Sequence, residues 1–173
     1  MSHSAKPARP PLARRPFSLD MALSGPERLV GVGFRCWIAG YRTGDIGCWE
    51  TAWEAYAHAL GPNMAKEALG ELGSWVRLVR NAARREIEIN PASCRYFCRD
   101  ECLAVGMVAA SQHGVCPAMN ACAMALLDSV SVDEVVDGAR GLALILRLAD
   151  QVLSPAAMDA NRLEGRPRPA TLH

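Results

Sequence analysis

Helix start and stop signals cut this chain into short segments, and that punctuation limits its fold more than any other feature. Gly44-Asp45, Gly61-Pro62 and Asn90-Pro91 each fall between apolar runs, as do Gly114, Pro117 and Ser131-Val132-Asp133-Glu134. Glycine ends helices in the left-handed conformation, Asp, Asn and Ser cap free N–H groups, and proline suits a first helical turn. Between these marks the apolar residues recur at helical spacing. A first helix is expected to open at the capping box Ser24-Gly25-Pro26-Glu27 and run to about Tyr41, burying Leu29, Val32, Phe34 and Trp37. A second, Ile46 to Leu60, follows the Asp45 cap, with Trp49, Trp53, Tyr56 and Leu60 as its buried stripe.

The third helix is expected from Pro62 to about Glu86, with Ala68, Leu72, Trp75, Val79 and Ala82 inward and Arg77, Arg80 and Arg84 outward. Arg85 to Ile89 alternates like a strand, but nothing elsewhere offers it a partner, so it reads as a frayed end and connector. Asn90-Pro91 predicts a central helix ending at Gly114, Pro117 a short apolar one to about Ser129, and the Ser131 box a last one to about Leu153. In that last helix Val135, Leu142, Leu146 and Leu153 are suited to packing. The expected fold is all-α: a single-domain bundle of about six helices over 24–154 with a buried, cysteine-bearing central helix.

The ends read differently. Residues 1–23 carry Lys6, Arg9, Arg14 and Arg15 among four prolines, and 155–173 are rich in Pro, Asn, Gly and Arg. Neither composition buries enough apolar surface to offset the entropy of ordering, so a disordered basic arm and a disordered tail are expected. With 50% hydrophobic residues, 21% charged and a net charge of +1, no overall field draws the chain to nucleic acid or acidic lipid. Ala57 and Gly61 loosely suggest a helix-turn-helix, but Lys66, Glu67 and Glu71 would open its recognition helix, which disfavours DNA. No segment is apolar enough over bilayer length to span a membrane.

The chemistry concentrates between Asn90 and Ala123, which holds five of the seven cysteines. Cys94, Cys98 and Cys102 recur every fourth residue and would share one side of a continuous helix; Cys116, Cys122 and His113 follow. No apolar leader follows the N-terminal basic residues, so the thiols are expected in a reducing cytoplasm, free or metal-bound. Soft thiolates suit zinc, Cu(I) or an iron–sulfur cluster. Zinc-bound sulfurs lie only about 4 Å apart, whereas Cys94 and Cys102 would be about 12 Å apart along a helix. A single zinc could therefore use two of the three with its remaining ligands from elsewhere, such as His113, Cys116 or Cys122, while a cluster or several Cu(I) ions would span more. The spacing lacks the C-x2-C knuckle of zinc fingers and the run of bacterial ferredoxins.

Cys36 and Cys48 read as buried structural thiols, and Gly31 and Gly33 as points where another backbone comes close rather than a dinucleotide fingerprint. No catalytic motif is present; His113 with Cys116 is the one thiol–base pairing, and no catalytic residue is assigned. Two functions remain from different classes. The first is a cytoplasmic metal- or iron–sulfur-binding accessory or regulatory protein using Cys94, Cys98, Cys102, Cys116, Cys122 and His113. The second is a cofactor-free helical interaction module with buried structural cysteines. Either implies a protein partner or a second copy of the chain.

Overall fold

A computed structural model describes residues 25–158. The expected N-terminal arm, the Ser24 cap and the tail from residue 159 lie outside the described residues. Those described form six α-helices: α1 Gly25–Thr43, α2 Ile46–Leu60, α3 Pro62–Ala82, α4 Arg99–Gln112, α5 Cys116–Leu127 and α6 Asp133–Leu148. A 3-10 turn, Pro155–Met158, follows, and no strand occurs among the described residues. The protein is all-α, as its punctuation predicts. No described helix is long and apolar enough to cross a membrane.

The signals at the α1–α2 and α2–α3 junctions act as expected, whereas α3 ends at Ala82, short of the expected Glu86. Gly44 and Gly61 take positive φ angles of 69° and 76°, a region costly to any residue with a Cβ. Asp45 accepts from the Gly47 N–H at 2.9 Å and opens α2. The hairpin formed by α1 and α2 packs on α3, α3 packs on α6, and α4 lies among α1, α5, α6 and the 3-10 turn. Nearly every residue of α4 is buried, so it is the central helix. Gly106 keeps it close to its neighbours: a Cβ there would lie 2.9 Å from the Ala157 carbonyl oxygen and 3.2 Å from the Cys122 sulfur. The first residues of the expected tail thus pack on the domain as the 3-10 turn.

Several expectations need correction. The aromatic stripe of α2 is not uniformly buried: Tyr56 is enclosed, Trp49 half-buried, and Trp53 42% exposed. Among the helices α2 packs chiefly on α1 and α3, so only a narrow strip around Ala52 and Tyr56 is covered. Helix α6 starts after Val132 with no side-chain cap, so the Ser131 box does not form. Burial of Val132, Val135 and Val136 is what positions that end. The helix also stops at Leu148, short of Leu153, although Val135, Leu142, Leu146 and Leu153 are all buried as expected. Gly31 and Gly33 do permit close approach, but by side chains rather than backbone: the Phe97 ring at Gly31, Tyr56 and Leu72 at Gly33.

Candidate functional site

The largest departure from expectation lies in the cysteine segment. Helix α3 ends at Ala82, residues 83–98 are a non-helical connector, and α4 begins only at Arg99. Asn90 therefore caps no helix, and the expected face carrying Cys94, Cys98 and Cys102 does not exist. The cause is a pair of acids in the first turn of α4, Asp100 and Glu101, both buried.

Glu101 meets Arg35 of α1 in a buried ion pair, with Nε–Oε1 at 2.5 Å and Nη2–Oε2 at 3.1 Å. The remaining guanidinium hydrogens go to the connector: Nη1 donates to the carbonyls of Cys94 at 2.7 Å and Pro91 at 3.4 Å, Nη2 to that of Tyr96 at 2.7 Å. The Phe97 ring centroid lies 4.9 Å from the Arg35 guanidinium carbon. Glu101 also accepts from the backbone N–H of Cys98 at 2.6 Å and of Asn90 at 3.3 Å, the first being the return half of a capping box. Burying two charges is costly unless their remaining donors and acceptors are filled. Here the connector fills them, and a helix over 90–98 would withdraw the same carbonyls and N–H groups.

Asp100 fixes the preceding stretch. It takes a two-pronged contact from Arg85 at 2.7 and 2.6 Å and the Glu88 N–H at 2.7 Å. The hydrogen bond to Asp100 holds the Arg85 proton more tightly than usual. At the other end of α4, Gln112 donates to the carbonyls of Gln151 at 2.8 Å and Ala143 at 3.3 Å and accepts from the Leu153 N–H at 2.8 Å. Arg147 donates to the Gln112 carbonyl at 2.7 Å. Glu27 accepts from the Ser154 N–H, which ties the segment after α6 to α1.

The cysteines are dispersed over this frame. Cys94 is half-buried in the connector, and Cys98 is the cap residue of α4, its thiol donating to the Glu88 carbonyl at 3.1 Å. Cys102 is buried one turn on; Cys116 is exposed at the start of α5, and Cys122 is buried. His113 follows α4, its Nε2 2.8 Å from the Leu153 carbonyl oxygen. A carbonyl only accepts, so Nε2 carries the proton there and offers no lone pair to a metal. Cys102 and His113 stand at opposite ends of α4, about 16 Å apart by its rise. Among the described residues no three His, Cys, Asp or Glu side chains are grouped to hold a metal ion.

Burial pushes the Cys98 and Cys102 thiols up to about 12 and those of Cys36 and Cys122 to about 11, from an ordinary 9.0. These groups are poor nucleophiles near neutral pH. The sign for stability follows. Above pH 9 the unfolded chain loses these protons while the fold retains them, so stability falls as pH rises through 9 toward 11–12. A urea midpoint lower at pH about 10 than at neutrality is the expected result, with Cys116 the first thiol alkylated on the folded chain. Equal alkylation of Cys102 and Cys116 would contradict that burial.

Arg35 and Glu101 were not singled out from sequence. The available signal was that Arg99, Asp100 and Glu101 are the only formal charges between Phe97 and Gly114. Comparison with protein-family models, curated proteins and solved structures finds no match.

Proposed function

We propose that this chain is a cofactor-free helical interaction module whose buried cysteines are structural and whose docking surface is the outer face of α6. The observation that carries the reading is Leu144 and Leu148, one turn apart and 58% and 67% exposed. Leu144 borders a groove of about 310 Å³ lined in part by Met119, Cys116 and Ala143 and edged by Arg140 and Arg147, and Leu148 is exposed one turn further along α6. Large apolar side chains left in water at helical spacing beside a groove fit the apolar stripe of a partner helix. The two arginines fit carboxylates flanking that stripe. The occupant is therefore an amphipathic helix with an acidic border.

A labelled helical peptide with leucines at i and i+4 flanked by glutamates is the probe. Leu148→Asp should weaken its binding at least about tenfold, since it puts a carboxylate in the contact and leaves the buried core untouched. Equal binding by the wild type and Leu148→Asp would overturn the reading, as would no binding at all. Self-association lost on the same substitution would instead make the occupant a second copy of the chain.

A second reading is a metal- or iron–sulfur-binding accessory protein using Cys94, Cys98, Cys102, Cys116, Cys122 and His113. What favours it is that Cys98 and Cys102 remain one turn apart at the head of α4, with Cys94 in the adjoining connector. Stoichiometric zinc, copper or iron removed by Cys98→Ser would establish it over the first.

A further inference from the structure

The last turns of α1 and α3 and the connector after α3 enclose a second, smaller pocket of about 170 Å³, lined by Ile38, Arg42, Arg80, Ala83, Arg85, Glu86 and Ile87. Its apolar part is formed by Ile38 and Ile87, both buried. Around it stand three guanidinium groups with very different partners. Arg85 is committed to Asp100 by two bonds. Arg42 donates to the Ile87 carbonyl and meets the Glu86 carboxylate at 3.1 Å. The Arg80 guanidinium lies 4.4 Å from the Tyr41 ring centroid, and no carboxylate among the described residues pairs with it. Placement in the last turn of a helix favours a cation at positions 42 and 80. That field does not account for both arginines converging on one pocket with an apolar floor.

Glu86 shows what this place accepts. Its side chain is 81% exposed and its carboxylate rests on Arg42 in an ion pair open to solvent. Such pairs contribute little and exchange readily. A carboxylate therefore fits against Arg42, and the chain's own is weakly held. The volume falls below the roughly 300 Å³ at which sites for larger small molecules begin. It suits one acidic side chain or a short organic acid and is too small for a nucleotide.

We infer that this pocket binds a carboxylate carried on a short apolar stem, which displaces Glu86 from Arg42, also engages Arg80, and rests its stem on Ile38 and Ile87. The carboxylate belongs either to a free organic acid or to an acidic side chain of a partner protein. The inference is independent of the α6 docking surface.

The test is a titration of the full chain at low salt, following the arginine Nε–Hε resonances, with butyrate and with a short glutamate-rich peptide. Saturable shifts at Arg42 and Arg80 are expected with at least one probe: butyrate alone identifies a free acid, the peptide alone a partner's side chain. Uncharged butyramide should produce none. Arg80→Ala should weaken binding about tenfold, because one charge-assisted contact is lost. Glu86→Gln should tighten it, since the competing carboxylate is gone, an effect that a purely structural role for these residues would not produce. Arg80 is exposed, so its variant should keep the wild-type amide spectrum. The inference is overturned if neither probe shifts these resonances even in Glu86→Gln, if butyramide matches butyrate, or if Arg80→Ala binds as tightly as the wild type.

Discussion

Glu101→Ala is expected to destabilise the domain by roughly 3–5 kcal/mol, the range for breaking a buried ion pair by removing one partner. The substitution leaves the Arg35 guanidinium buried without its counter-charge and removes the acceptor for the Cys98 and Asn90 N–H groups. Arg35 holds the carbonyls of Cys94 and Tyr96, so the connector should loosen as stability falls. Two readouts check this: the urea midpoint, and the alkylation rates of Cys94 and Cys98 relative to Cys116. Arg35→Met with Glu101→Leu should recover only part of the loss, because the pair also binds backbone that apolar side chains cannot. A loss below about 1 kcal/mol for Glu101→Ala would mean that the pair does not hold the segment.

Trp75→Ala should cost about 3–5 kcal/mol, while Trp53→Ala should cost less than about 1 kcal/mol. The indole of Trp75 is fully enclosed; its ring centroid lies 5.7 Å from that of Phe34, and a Cβ at Gly138 of α6 would sit only 3.1 Å from it. Its removal leaves a cavity at the contact between α3 and α6 that rigid backbones cannot close. Trp53 is 42% exposed on α2, so its truncation opens to solvent rather than leaving an enclosed cavity. Equilibrium denaturation of both variants decides the matter: similar costs would mean that Trp53 is covered.

Much of the fold could be read from residues that act locally. Asp45 and the glycines at 44 and 61 fix the bounds of α2 through their own backbone and side-chain chemistry, and those bounds were legible. The packing residues of α6 were legible because one apolar stripe repeats at the helical period. Periodicity marked the stripe on α2 equally well but carries no information on how many neighbours cover it, hence the error at Trp53. The connector was illegible for a stronger reason. Asn90-Pro91 is a sound local helix start, yet the segment is held by an arginine that lies 66 residues from Glu101 in sequence. A tertiary ion pair with a network of backbone bonds outweighs a single cap. Four-residue spacing aligns Cys94 with Cys98 and Cys102 only on a continuous helix, and the connector leaves Cys94 off α4. Burial of the cysteines was legible only in part: Cys36, Cys102 and Cys122 are buried, but Cys48, expected to be buried, is half-buried like Cys94 and Cys98, and Cys116 is exposed. The anion pocket gave only a partial signal, the arginines of α3, because Tyr41, Arg42 and Glu86 come from other parts of the chain.

Cys98 is where the two functional readings diverge most sharply. As a structural residue it gives its thiol to the Glu88 carbonyl and its N–H to Glu101. As a ligand it would be a thiolate, and its loss would remove metal. Elemental analysis of the protein purified without oxygen, for the wild type and Cys98→Ser in parallel, tests this most directly. The interaction-module account predicts substoichiometric iron, zinc and copper in both samples. Stoichiometric metal in the wild type that disappears in Cys98→Ser would contradict it.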